Sequence, residues 1–326
     1  MSRPSAVSRA RAASLRAPYR GRFAPSPTGP LHFGSLVAAL ASYCDARAAG
    51  GEWLVRMEDV DYPRRRAGAE TQILAALERC GFEWDGTVVR QSDRTSLYEE
   101  ALQRLRGDGL AYACGCTRRE LEAAPIGAAG ERVYPGTCRK GLPPSRRGRR
   151  QHAWRVRVGD AELACNDRLQ ATQRQALARD VGDFVVKRAD GLFAYQLAVV
   201  VDDAQQGITD VVRGADLLAS TPRQVLLQNL LCVPTPAYLH VPIAINPAGE
   251  KLSKQTLAPP LPAEPLPALL AAWRFLDQPP HPELPVSVAE FWIWARASWR
   301  VELLPPVPML PAPTGVDVGA ATGVVA

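Results

Sequence analysis

Acidic residues are missing from two long stretches of this 326-residue chain: no Asp or Glu precedes Asp45, and none stands between Glu131 and Asp160. The overall balance is modest, 39 Lys and Arg against 33 Asp and Glu for a net charge of +6, so the positive surplus is concentrated in these two places. Such a concentration suits a polyanionic partner. Long apolar runs are missing too. Arg, Asp, Pro or Gly interrupts every candidate before the roughly 18 residues that a membrane-spanning helix needs, which predicts a soluble chain without a membrane partner. Residues 1–20 lack the apolar core of a secretory signal and carry five arginines among Ser and Ala. They read as a disordered basic leader over 1–19, with an organelle transit peptide as the alternative.

What is present is ordinary globular chemistry. Hydrophobic residues make up 47% and charged residues 22%, which excludes fibrous and wholly disordered proteins, and the length has room for roughly two domains. Seven cysteines cannot all pair. Cys44, Cys80, Cys165 and Cys232 stand alone and read as small buried hydrophobes. Cys114, Cys116 and Cys138 cluster, which points to metal rather than disulfide chemistry in a reducing compartment. Three thiolates and a fourth donor would close a tetrahedral zinc site with no open position, hence a structural one.

Regular patterning begins near Tyr19. A short strand ending at Phe23 runs into the Pro-rich segment Ala24–Pro30, followed by a helix through Leu36, Leu40 and Cys44 that stops at Gly50-Gly51. Trp53–Met57 reads as a buried strand, and helices follow through Ile73 and Leu77 and through Leu97, Leu102 and Leu105. This alternation predicts an α/β fold with a parallel sheet. It breaks down from Tyr112 to about Arg179, an Arg-rich stretch best treated as an insertion. Parallel-sheet patterning is expected to return at Asp183–Val186, with strands at Phe193–Val201, Ile208–Val212 and His240–Ile245 and a helix over Pro222–Leu231. A Pro-rich linker, a small helical piece carrying Trp292, Trp294 and Trp299 as packing residues, and a mobile tail complete the chain. No internal repeat is visible.

Two segments carry phosphate chemistry. In Arg22-Phe-Ala-Pro-Ser-Pro-Thr-Gly-Pro-Leu-His32-Phe-Gly34-Ser35 an extended loop enters a helix, where backbone N–H groups and the helix dipole favour phosphate. Gly34 leaves room for a flat base or ribose, and His32 can donate to a phosphate oxygen. More than two hundred residues later, Lys251-Leu-Ser-Lys254-Gln255 places two lysines on a loop, suited to a pyrophosphate leaving group. Together with Arg56-Met-Glu58-Asp59 and Asp61, these segments closely resemble the signatures of glutamyl-type class I aminoacyl-tRNA synthetases. The ordered combination covers about residues 20–300, and within that class the chain is similar to the glutamyl-Q tRNA(Asp) synthetases, stand-alone paralogues of the glutamyl-tRNA synthetase catalytic domain.

The resemblance implies a Rossmann-type catalytic domain split into 20–111 and 181–257, around an inserted zinc-bearing, acceptor-contacting region at 112–180. A helical region at 258–304 and the tail at 305–326 follow. The implied activity uses ATP and Mg2+ to convert L-glutamate to glutamyl-adenylate and then transfers it to tRNA. Glutamate presents two carboxylates and one ammonium, so its pocket wants two cations and an anion. Arg22 and Arg213 are the candidate cations and Glu58 the candidate anion. By resemblance Ser26 and Tyr195 complete the site, beside Phe23, Ala24 and Pro25. His32, Gly34, Ser35, Lys251 and Lys254 are the ATP candidates, with His32 and Lys254 acting on the phosphates. The resemblance also supplies Tyr134 as the fourth zinc ligand, although the 17 residues between Cys116 and Tyr134 make a long loop.

Arg139, Lys140, Arg146, Arg147, Arg149, Arg150, Arg155 and Arg157 form a basic run that would contact RNA phosphates. Only 71 residues follow Gln255. An ordinary glutamyl-tRNA synthetase continues into a longer anticodon-binding domain. The glutamyl-Q paralogues are similar in this truncation, and the acceptor the resemblance implies is queuosine at the wobble position of tRNA(Asp), with a cytoplasmic monomer as the working unit. A minimal glutamyl-tRNA synthetase charging the tRNA 3′ end, nucleotidyl transfer to a small metabolite, and a noncatalytic zinc-bearing RNA-binding module are the competing readings.

Overall fold

The computed structural model describes residues 17–127, 130–148, 151–252 and 259–313. Its centre is a set of parallel strands. β1 (Arg20–Phe23) pairs with β2 (Glu52–Met57), which pairs with β3 (Val89–Arg90). The helix α1 (Phe33–Ala48) connects β1 to β2, and α2 (Ala69–Arg79) connects β2 to β3; α3 (Thr95–Gly107) follows. On the other side of β1, the Thr209 N–H donates to the Arg20 carbonyl at 3.0 Å, and the Arg20 N–H donates to the Thr209 hydroxyl at 2.8 Å. This seam places the parallel pair β9 (Asp210–Gly214) and β10 (Ala237–Val241) beside β1. Successive connections thus leave β1 in opposite directions, and a crevice opens at the carboxyl ends of the strands at such a switch point.

The intervening chain is antiparallel. β4 (Ala111–Cys114), β5 (Ala153–Val156) and β8 (Val185–Lys187) form one three-stranded sheet in that order, and β6 (Glu162–Cys165) and β7 (Gln173–Ala176) form a hairpin. The segment expected to resume the parallel sheet at Asp183–Val186 therefore supplies β8 to the antiparallel sheet. A short run that is apolar on both faces has no periodicity to tell the two apart.

A second expectation fails more plainly. Phe193–Val201 is not a strand; Tyr195–Gln205 is a helix, α4. Every residue from Leu197 to Asp203 in it is buried, so the apolar face that would reveal a 3.6-residue period is absent, and the β-branched run mimics a strand. α5 (Thr221–Leu231) packs against it. The expected strand at His240–Ile245 is interrupted at Pro242, leaving β10 and β11 (Ile243–Ile245).

α6 (Leu266–Phe275) and α7 (Val288–Ser298) close the fold. Trp292 of α7 inserts between Tyr43 and Phe82, with ring centroids at 4.8 and 4.9 Å, and its indole N–H donates to the Cys80 carbonyl at 2.7 Å. Trp292 and Trp299 are buried and Trp294 packs on the same cluster, as expected of packing residues. Fully burying such a side chain contributes on the order of 2–3 kcal/mol. Met309–Pro311, inside the stretch expected to be a mobile tail, is a strand, β12, parallel to β11.

Candidate active site

The crevice at the β1–β9 seam is a cleft of ≈ 570 Å³. It is lined by Arg22, Phe23, Ala24, Pro25 and Ser26 from the end of β1, by Glu58 after β2, by Tyr195 at the start of α4, and by Arg213 in β9. His32, Gly34 and Ser35 at the start of α1 and Lys251 after β11 line it too. Every glutamate and ATP candidate within the described residues is thus brought to one place. Lys254, with Ser253 and Gln255, lies outside the described residues.

The Pro-rich loop is tied down by the Glu58 N–H, which donates to the Pro25 carbonyl at 2.9 Å. This bond holds the ends of β1 and β2 together around the cleft. At the other end the 16-residue α1 starts beside His32, and its N-terminal amides and dipole supply an anion seat. Gly34 sits at a close approach: a Cβ there would come within 3.3 Å of the His32 ring and 3.4 Å of the Leu252 carbonyl, so these neighbours would have to give by a few tenths of an ångström. The helix start and the lysine-bearing loop are therefore adjacent. Lys251 is held by Asp216 at 2.5 Å.

The charges are more internally paired than the sequence suggests. Arg22, expected as one of the two cations of the glutamate pocket, directs Nε to Asp203 at 3.1 Å. Arg56, wholly buried, donates to the same Asp203 at 2.8 Å and to Gln206 at 2.6 Å. Burial opposes the ionisation of Asp203, but Arg22 and Arg56 outweigh it and hold the carboxyl below the ordinary range. Glu58 is driven the other way. Burial raises it to about 7, with Arg56 and Arg22 only partly resisting. Arg213 donates to His240 Nε2 at 2.9 Å, to Thr221 at 3.0 Å and to the Tyr195 hydroxyl at 3.4 Å. Among the described residues it forms no ion pair, so its charge is the less compensated of the two arginines.

A separate cluster lies in the inserted region. The Sγ atoms of Cys114, Cys116 and Cys138 lie within 4.8 Å of one another, and those of Cys116 and Cys138 are 3.8 Å apart. A tetrahedral zinc with Zn–S bonds near 2.3 Å requires sulfur separations of about 3.8 Å. The Tyr134 hydroxyl is 3.3 Å from Cys114 Sγ and 3.7 Å from Cys116 Sγ, so the long loop does return it to the thiols. Burial raises the Cys116 thiol to about 11. Burial also works against the Cys138 thiolate, yet the Gly115 backbone, Tyr134 and Arg146 lower its pKa overall. Arg146 lies 3.2 Å from Cys116 Sγ and Arg155 3.4 Å from Cys114 Sγ, two cations that would offset the negative charge of a thiolate-rich metal centre. The donor set fits a closed zinc site.

Residues 19–260 match the family described as tRNA synthetases class I (E and Q), catalytic domain. A glutamyl-Q tRNA(Asp) synthetase of Thiobacillus denitrificans is 59% identical over 297 residues, covering 90% of this chain and 98% of that protein. One from Aromatoleum aromaticum is 58% identical over 290 residues, covering 88% and 91%. The chain belongs to the glutamyl-Q tRNA(Asp) synthetase family. Its fold is class I synthetase-like: a glutamate tRNA ligase from Elizabethkingia meningosepticum, solved in complex with its amino acid, superposes with a TM-score of 0.76 at 25% identity over 91% of this chain and 68% of that one.

In this glutamyl-Q family member several residues that lie behind the cleft and brace it carry no motif. Asp203 and His240 are among them, as are Asp167, whose carboxylate meets His240 at 2.6 Å, and Asp202, which accepts from Tyr98 at 2.7 Å. The pair Asp202-Asp203 did leave a trace. Two acids directly after the apolar run Ala198–Val201 are expensive to bury unless cations meet them. No helix among the described residues is long and apolar enough to cross a membrane.

Proposed function

We propose that this synthetase activates L-glutamate with ATP and transfers the glutamyl group to queuosine at the wobble position of tRNA(Asp). The observation that carries the reading is the convergence of the motif residues on one cleft, in a chain 59% identical to a glutamyl-Q tRNA(Asp) synthetase over nearly its whole length. Arg213 and Arg22 take the substrate carboxylates, with Ser26 and Tyr195 beside them. Glu58 takes the ammonium, while Phe23, Ala24 and Pro25 shape the wall. ATP lies across Gly34 and Ser35 with its phosphates toward His32, Lys251 and Lys254, accompanied by Mg2+. A carboxylate oxygen of glutamate attacks the α-phosphorus, the bond to the β-phosphate breaks, and pyrophosphate leaves with its charge offset by His32 and the lysines. A hydroxyl of the queuosine cyclopentenediol then attacks the carbonyl carbon. AMP departs with the bonding electrons and the hydroxyl proton is released. The adenylate is itself the activated species, so no protein nucleophile is required.

Zn2+ held by Cys114, Cys116, Tyr134 and Cys138 would cross-link the start of the inserted region. Beside these thiols a second cleft of ≈ 580 Å³, lined by Tyr112, Lys140, Arg147 and Arg157, offers cations for RNA phosphates. The reading places a monomer in the cytoplasm with its tRNA. The test is to incubate the protein with ATP, labelled glutamate and queuosine-bearing tRNA, then map the label by nuclease digestion and mass spectrometry. Label on the wobble nucleoside is expected, surviving removal of the 3′-terminal adenosine. Label on the terminal adenosine, or equal labelling of queuosine-free tRNA, would overturn the acceptor assignment. Absence of glutamate-dependent pyrophosphate exchange would overturn activation.

A further inference from the structure

Behind Arg213 lies a second group of polar residues that none of the motifs contains. His240, in the buried strand β10, is 0% exposed, and its two ring nitrogens have different partners. Nε2 faces Arg213 Nε at 2.9 Å, and Nδ1 faces Asp167 Oδ2 at 2.6 Å. An arginine nitrogen can only donate, so Nε2 must accept, and the ring proton must sit on Nδ1 and point at Asp167. Asp167 is fixed in turn. Its Oδ1 accepts from the backbone N–H groups of Leu169 at 2.9 Å and Gln170 at 2.8 Å. Asp167 belongs to the loop joining β6 and β7, and that loop is pinned to β10: the Arg168 N–H donates to the Tyr238 carbonyl at 2.8 Å, and Gln170 Nε2 donates to the His240 carbonyl at 2.9 Å.

We propose that Asp167 and His240 are positioning residues for Arg213, the carboxylate fixing the neutral Nδ1–H tautomer so that Nε2 anchors the guanidinium from behind. The design has a reason in electrostatics. A carboxylate placed directly on Arg213, as Asp203 is on Arg22, would offset part of the charge that draws substrate to it. A neutral imidazole holds the same guanidinium in place and leaves its charge for the cleft. Burial, together with the charge of Arg213, keeps His240 in the neutral form, against the opposing pull of Asp167. The inserted hairpin thereby takes part in the amino-acid pocket without reaching it.

The inference rests on the reading of the cleft as a glutamate site, and its test separates the two. On the wild-type protein at pH 7, the 15N shifts of His240 should show a protonated Nδ1 and an unprotonated Nε2. An imidazolium, or a proton on Nε2, would overturn the proposal with no variant involved. In ATP–pyrophosphate exchange, His240→Ala and Asp167→Ala should each raise the KM for glutamate, roughly tenfold to a hundredfold for the His240 change, with the KM for ATP little moved. Asp167→Ala should add little in the His240→Ala background, because both act through one anchor. Additive effects, an unchanged glutamate KM in a folded Asp167→Ala protein, or equal losses for ATP and glutamate would each overturn it. Failure of the wild-type protein to exchange pyrophosphate with glutamate would instead overturn the underlying reading.

Discussion

In the proposed role of Glu58, a carboxyl group that receives an ammonium is useful only when ionised, and burial sets Glu58 at about 7 in the free protein. Glutamate binding should therefore weaken as pH falls through about 7, since Glu58 takes up a proton and its attraction for the ammonium is lost. Titration calorimetry with glutamate between about pH 6 and 8 checks this, and Glu58→Gln should bind more weakly with a flatter profile. Stability has the opposite sign. The folded-state value lies above the ordinary 4.5, so the fold prefers the protonated acid. That contribution is fully present below about pH 4.5 and is lost as pH rises through about 7. At this scale the sequence was readable where chemistry is written as a contiguous string: Arg22, Glu58, His32, Gly34 and Lys251 stand in or beside motifs and all reach the cleft. It was unreadable where a function depends on one residue held by another far along the chain. Asp203 meets Arg22 across 181 positions, and Asp167 meets His240 across 73, with no spacing rule to announce either.

Among the elements, the cysteine cluster depends on the backbone around Gly182. This residue sits at φ +70°, and a Cβ on it would fall 2.7 Å from both the N and the O of Tyr134. Gly182→Ala should displace Tyr134 from the thiols and weaken zinc binding by about ten- to a hundredfold, as read by competition with a chromophoric chelator. Glutamate-dependent pyrophosphate exchange, carried out in the other cleft, should persist. Element type was legible wherever an amphipathic period survived, as in α2 and α3, which lie where Ile73, Leu77, Leu102 and Leu105 predicted them. It failed for α4, buried on all sides, and for β8, whose antiparallel partner β5 is set by the insertion rather than by its own residues. Pairing partners are a tertiary property, and a three-residue strand cannot encode them.

For the whole molecule, the uneven charge makes RNA association a question of salt. If Lys140, Arg147 and Arg157 each neutralise a phosphate, log K for tRNA should fall linearly with log salt, and removing any one of them should reduce the slope by about 0.9. Filter binding over a salt series measures it. One further consequence follows from the seam at Arg20 and Thr209, which are 189 positions apart. The wall built by β1 leaves the ribosome early, while the wall built by β9 arrives only after the whole insertion has been synthesised. Closing so wide a gap is entropically slow. A nascent chain halted before β9 would consequently carry half a crevice, and the stabilisation that nucleotide and amino acid give the whole crevice would have to wait until β9, about two-thirds of the way along the chain, had emerged.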